Sequence, residues 1–274
     1  MTTPPTVLTI AGSDSGGGAG LQADLRTFFA CGAHGMVAVT AVTVQNTIGV
    51  SGFVEIPPDV VADQIEAVAV DIGIQAAKTG MLASADIILA VASACDRVGI
   101  GKDGAIPFVV DPVAASMGGD QLLADNALDA LRTELFARAT LVTPNLDEVR
   151  LLTGIDVTDV PTQKRAAEAL YAYGPQWVLV KGGHMKNVDD CMDLLYDGDQ
   201  FYELPGPRFD TGDTHGSGDT LASAITSQLA RGVPMPEAVA FGKRFIVRSV
   251  RDSYSLGKGH GPVSPFWRLS TDEV

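Results

Sequence analysis

Short apolar runs alternate with amphipathic helical stretches over most of the chain, and that rhythm limits the fold more than any other feature of the sequence. The runs at 7–11, 36–44, 75–79, 108–111, 140–143 and 177–181 are β-rich and apolar on both faces. Between them, at 19–32, 59–72, 84–98, 121–138, 145–153 and 162–173, apolar residues recur with helical spacing. Strands buried on both faces and separated by helices predict a parallel sheet covered on both sides. The rhythm then changes. Segments 191–196 and 200–204 flank Asp197-Gly198-Asp199, a hairpin turn signal, and two helical stretches (216–230 and 236–252) and an irregular tail follow. The expectation is one doubly wound α/β domain over 1–274, with a mostly parallel sheet, helices on both faces and an edge β-hairpin. Folds of this kind bind ligands at the carboxyl ends of their strands.

Composition narrows the function classes. Hydrophobic residues at 46% and charged residues at 19% give enough apolar material for a deep core. The 33 acidic residues against 19 basic ones leave a net charge of −14, which argues against a nucleic-acid or anionic-membrane partner. An anionic ligand must therefore be held locally, by a few Lys side chains and backbone N–H groups. No apolar stretch reaches the roughly 18 residues of a membrane span. The N-terminal MTTPPTVLTIAG lacks the positive region of a signal peptide, so a cytoplasmic protein is expected. Cys31, Cys95 and Cys191 have no C-x-x-C spacing, and the four His are scattered. These read as reduced thiols, with no zinc site and no thiol nucleophile.

The glycine-rich segment 11–24 follows the first strand and opens the first helix. Such a turn lets backbone N–H groups approach a ligand, and it equally serves to pack a helix on a sheet. It is not a P-loop, since G-x-x-x-x-G-K is absent. Gly18 to Ala23 fits G-x-G-x-x-A, yet the ribose-binding acid about 20 residues on is missing. Thr43-Val-Gln-Asn-Thr47 ends the second run. Gln45 can pair bidentately with a ring nitrogen and an exocyclic amine, although spacing alone favours an ordinary polar strand end. Val109-Val-Asp-Pro-Val113 and Thr143-Pro-Asn-Leu-Asp-Glu148 place acids just beyond strands. Asn145 and Glu148 form a capping box, and the same pair could approach a metal–phosphate group. Lys181 in VKGGH ends a strand, either as a solvated cation or as a phosphate neutraliser. Asp213-Thr-His-Gly-Ser-Gly-Asp219 is the most specific segment. Gly216, Ser217 and Gly218 offer successive N–H groups at a helix N-terminus, and Asp219 can accept a proton from an attacking hydroxyl.

Eight segments, in order, resemble the hydroxymethylpyrimidine/phosphomethylpyrimidine kinases of thiamine biosynthesis, members of the ribokinase-like superfamily. They are AGSDSGGGAGLQADLRTF, TAVTVQNT, AKTGML, VVDPV, TPNLDEVRLLTG, VKGGH, DTHGSGDTLASAI and GKGHGPV. The resemblance covers nearly the whole chain. It implies a ribokinase-like fold, ATP and Mg²⁺ as cofactors, a pyrimidine alcohol and its monophosphate as substrates, and a homodimer. Carried over position by position, it implies a pyrimidine pocket of Gly12, Ala19, Asp24, Gln45, Met81 and Val113. Asn145, Lys181, Gly183, Thr214 and Lys243 would serve nucleotide and phosphate, and Glu148 the metal, directly or through water. Gly216 to Asp219 would form the anion hole, with Asp219 the base. At this last position many members of the family carry Cys, whereas Asp resembles ribokinase and the pyridoxal kinases. The alternatives weighed beside this reading are a vitamin B6 kinase, a nicotinamide oxidoreductase and an inactive nucleotide-binding regulator.

Overall fold

The computed structural model describes residues 3–114, 123–183 and 191–269. Along them run β1 (Thr6–Ala11), α1 (Gly20–Ala30), β2 (His34–Val39), β3 (Ala41–Gln45), β4 (Val50–Glu55), α2 (Pro58–Asp71), β5 (Ala76–Thr79) and α3 (Ala85–Val98). There follow β6 (Phe108–Val110), α4 (Asp125–Ala130), β7 (Leu141–Val142), α5 (Leu146–Thr153), α6 (Val160–Tyr171) and β8 (Trp177–Val180). The hairpin β9 (Asp193–Tyr196) and β10 (Phe201–Leu204) precedes α7 (Ser217–Leu229) and α8 (Met235–Arg251).

Eight strands form one sheet in the order β10-β9-β8-β7-β6-β5-β1-β2. All pairings are parallel except those of β9, which runs against both β8 and β10. The two-residue period of the strands divides the core. Val7, Ala76, Val109, Leu141 and Leu179 face one layer, with Phe28 of α1, Leu221 and Ile225 of α7 and Val239 of α8. Leu8, Ile10, Ala77, Phe108, Val110 and Val142 face the other, with Ile65 of α2, Ile87 of α3 and Ala166 of α6. Both layers are apolar, so the strands carry continuous apolar runs rather than alternation. The doubly wound sheet and its edge hairpin are as the sequence predicts. Asp197 closes the hairpin turn by accepting from the N–H groups of Asp199 and Gln200. No helix among the described residues is long and apolar enough to cross a membrane.

The 36–44 run, expected as one strand, is two. Thr40 donates its N–H to the Ala11 carbonyl and its hydroxyl to the Met81 carbonyl, and there the chain leaves the main sheet. Beyond it β3 pairs antiparallel with β4, in a separate two-stranded sheet. The sequence did not predict β4, because Val50, Phe53 and Val54 are exposed and show neither alternation nor a buried run. The helix expected at 121–138 begins at Asp125 and ends in a π turn (Leu131–Leu135) and a 3₁₀ turn (Phe136–Arg138). Residues 121–122 of that stretch, and His184 of VKGGH, lie outside the described residues.

Candidate active site

The N-terminus of α7 is built by a residue that only glycine can replace cheaply. Gly216 caps the helix at φ 75°, and a Cβ there would lie 2.0 Å from the Gly18 carbonyl oxygen. The left-handed backbone and the close approach both demand glycine. This brings the end of the glycine-rich loop against the first turn of α7. Ser217 and Thr220 donate their N–H groups to Thr214 and Gly216. The N–H groups of Gly218 and Asp219 find no acceptor among the described residues, and they point out of the positive end of the helix.

The glycine-rich loop is folded around a carboxylate. Asp14 is buried and accepts from the N–H groups of Gly16 at 2.7 Å, Gly18 at 2.9 Å and Ala19 at 2.8 Å. It also pairs with His215 Nε2 at 2.9 Å. Burial pushes this carboxyl up, but His215 and the Ala19 and Gly16 N–H groups outweigh it and hold it below the usual carboxylate range. The loop's N–H groups are therefore committed within the protein rather than offered to a ligand. Gly20 donates to Asp219 Oδ2 at 3.2 Å.

Two clusters of charge flank the α7 terminus. In one, Lys181 Nζ lies 2.9 Å from Asp111 Oδ1 and 4.0 Å from Glu148 Oε2. Burial works to discharge Lys181, and Asp111 and Glu148 more than compensate. Glu148 accepts from the N–H groups of Asn145 and Ala114, while Asn145 Oδ1 accepts from Glu148 N, so the predicted capping box is formed. Burial, opposed by Lys181 and reinforced by Asp111, raises the Glu148 carboxyl to about 7. Asp111 Oδ2 faces Gly218, where an added Cβ would lie 3.3 Å from it. In the other cluster, Lys78 Nζ sits 2.8 Å from Asp24 Oδ1 and 3.5 Å from Asp219 Oδ1.

A cleft of about 320 Å³ runs from the α7 terminus to α8. Asn145, Lys181, Gly183, Thr214 and Lys243, the residues assigned to nucleotide and phosphate, all line it, with Ser217 and Gly218 at one end. Leu221, Ile246 and Val250 supply an apolar wall. Gly12, Met81 and Gln45 lie outside this cleft. Gly12 donates its N–H to the Met81 carbonyl, and the Gln45 amide is 3.5 Å from His215. Val113 adopts φ 42°, an uncommon conformation for a β-branched residue.

Two of the assigned side chains are already engaged within the protein. Asp24 is wholly buried and bonded to Lys78, Ser223 and Thr9. Lys243 lies in the cleft wall, but its ammonium is already bound to Asp193 Oδ2 at 2.7 Å and the Cys191 carbonyl at 2.9 Å. The sequence reading missed Lys78, the Asp14–His215 pair and the engagement of Asp111 by Lys181. The signal for Lys78 was present: a cation in a short apolar strand needs a buried partner.

Comparison with known proteins finds one family by sequence and two kinds of vitamin kinase by fold. The family model described as phosphomethylpyrimidine kinase matches residues 14–264. A protein of Mycobacterium tuberculosis (strain ATCC 25618 / H37Rv), named hydroxymethylpyrimidine/phosphomethylpyrimidine kinase, is 60% identical over 268 residues, covering 98% of this chain and 96% of that one. The fold is similar to that of Bacillus subtilis pyridoxal kinase in an ADP complex, with TM-score 0.87, 34% identity, and 97% and 98% of the two chains covered. It is also similar to the phosphomethylpyrimidine kinase of Clostridium difficile 630, with TM-score 0.78, 39% identity, and 89% and 99% covered.

Proposed function

The chain belongs to the phosphomethylpyrimidine kinase family, and we propose that Asp219 receives the hydroxyl proton as the γ-phosphoryl group of ATP passes to a pyrimidine alcohol. The activity is that of a hydroxymethylpyrimidine and phosphomethylpyrimidine kinase in thiamine biosynthesis: 4-amino-5-hydroxymethyl-2-methylpyrimidine becomes its monophosphate and then its diphosphate. One ribokinase-like domain over 1–274, acting in the cytoplasm, carries it.

The observation behind the Asp219 assignment is the pairing of a part-exposed carboxylate with two unpartnered N–H groups in one helical turn. The N–H groups of Gly218 and Asp219 neutralise charge on the transferring phosphoryl group, while the carboxylate takes the proton. The hydroxymethyl oxygen attacks phosphorus as the bond to ADP breaks. Thr214, Asn145 and Lys181 bind the phosphates, and the apolar wall of Leu221, Ile246 and Val250 receives the base. Gly12, Ala19, Gln45, Met81 and Val113 form the pyrimidine side.

Mg²⁺ fits the donor set. Asp111 Oδ2 lies beside Gly218 at the phosphate end of the cleft, and Lys181 Nζ is 2.9 Å from Asp111 and 4.0 Å from Glu148; this ion favours one or two carboxylates with water and phosphate oxygens. Bound there, it would neutralise the β- and γ-phosphate oxygens. A homodimer is supported by β3 and β4, whose Val42, Val44 and Val54 are apolar and exposed.

A vitamin B6 kinase is the second reading, favoured by the likeness to pyridoxal kinase structures and by Asp at position 219. A coupled assay with the pyrimidine alcohol, its monophosphate, pyridoxine and pyridoxal separates the two. In the same assay Asp219→Asn should lose about 10²–10⁴-fold in kcat with a much smaller change in KM. If the Asn variant matches the parent, the base lies elsewhere.

A further inference from the structure

Lys78 is wholly buried in the middle of a sheet, and the mechanism above gives it no task. A buried ammonium is costly unless paired and hydrogen-bonded. It stands on the face of β5 that meets α7, between two carboxylates from different helices: Asp24 Oδ1 at 2.8 Å and Asp219 Oδ1 at 3.5 Å. Asp24 is held independently, by the hydroxyls of Ser223 and Thr9, both at 2.6 Å. Asp219 has weaker anchors: the Gly20 N–H at 3.2 Å and Lys78. Gly80 lies beside the pair: a Cβ there would make ordinary contact with Lys78 Nζ at 3.5 Å and Asp219 Oδ1 at 3.7 Å, and would crowd the Ala11 Cβ at 2.9 Å.

We infer that Lys78 is a positioning residue for the phosphoryl transfer: anchored by Asp24, its ammonium holds the Asp219 carboxylate aimed at the substrate hydroxyl. This rests on the reading of Asp219 as the base. The charge count supports it. Asp24 and Asp219 share one ammonium, and of the two carboxylates Asp219 is the part-exposed one, beside the cleft-lining Gly218. Burial works to discharge Lys78, yet Asp24, Asp219 and Asp111 together raise its proton affinity above the ordinary lysine range. Lys181 also acts on Asp219 in the same sense as Lys78, and Asp24 acts on it in the opposite sense.

Removing Lys78 alone would strand Asp24 as a buried charge and confound the result with unfolding. The test is therefore Lys78→Met/Asp24→Asn, which removes both charges, compared with Asp24→Asn alone, which loses the same carboxylate and keeps the cation. Lys78→Gln/Asp24→Asn replaces the double variant if Met is not tolerated. Circular dichroism and thermal melting establish folding, and kcat and both KM values are measured from pH 5 to 9. The double variant should fold, keep the nucleotide KM within a few-fold, and show the acid limb of kcat at higher pH by about one to three units. Asp24→Asn should show no such upward movement. The proposal is overturned if the two variants share one pH profile, or if the double variant has the parent's kcat and profile. Asp219→Asn, run alongside, separates the failures: if it is inactive while the double variant behaves as the parent, Asp219 remains the base and only the role of Lys78 falls.

Discussion

Gly216→Ala tests whether the seam between the glycine-rich loop and α7 sets the reaction geometry. Alanine at φ 75° costs about 1–2 kcal/mol for the left-handed backbone alone. In a chain of this length that lowers the melting temperature by roughly 2–8 °C. The second effect is steric. The new Cβ would sit 2.0 Å from the Gly18 oxygen, whereas Cβ atoms essentially never come within 3.0 Å of such a neighbour, so loop and helix must part by about 1 Å. The N–H groups of Gly218 and Asp219 ride on that turn, and a misplacement of about 1 Å can cost about 10²-fold in rate. Gly73→Ala separates the two effects, because Gly73 also has positive φ (83°) but nothing within 4 Å of the added Cβ. Both variants should show a fall in melting temperature, larger for Gly216→Ala because it adds the clash, while only Gly216→Ala loses about 10²-fold in kcat/KM in the coupled assay. Activity of Gly216→Ala within a few-fold of Gly73→Ala would refute the reasoning.

Gln45→Leu should raise the KM for the pyrimidine alcohol and spare that for ATP, because a site built to hydrogen-bond its substrate is left unpaired; equal turnover by variant and parent would exclude Gln45 from the pocket. Of the three thiols, Cys191 should react first with a disulfide reagent at pH 8, and ADP should protect it, since it lines the cleft. Burial pushes Cys31 to about 11 and Cys95 to about 12, so labelling of all three at one rate would contradict this. Val44→Lys with Val54→Lys, both at exposed positions, should shift the protein toward monomer in sedimentation, with its circular dichroism unchanged. An unaltered sedimentation coefficient would remove β3 and β4 from the interface.

The parallel strands were legible because each is a short run buried on both sides, and the α5 cap because Asn145 and Glu148 have the capping-box spacing. The break at Thr40 was not. It depends on bonds to the Ala11 and Met81 carbonyls, which are remote in sequence. β4 was missed for a related reason, as its apolar residues face outward. Within the candidate site, order along the chain singled out the α7 turn and residues that line the cleft beside it. It could not say which charges satisfy one another. Lys243 reads as a free cation until Asp193 is placed beside it, and Asp24 as a pocket acid until Lys78, Ser223 and Thr9 enclose it. Pairings of this kind are made by tertiary contact and leave no periodic trace.

The seam that holds Asp219 joins positions remote along the chain: Asp14 with His215 at a separation of 201 residues, Gly20 with Asp219 at 199, and Asp24 with Ser223 at 199. A nascent chain emerging from the ribosome can form β1, α1, β2 and β5 early, but Asp24 and Lys78 then lack their cover until α7 is synthesised. Closing so long a loop carries an entropic cost that local contacts do not recover, and non-local pairing of this kind slows folding. The first turn of α7 therefore finds its partners late, when the first and last thirds of the polypeptide meet, and a partly synthesised copy lacks the seam that holds Asp219.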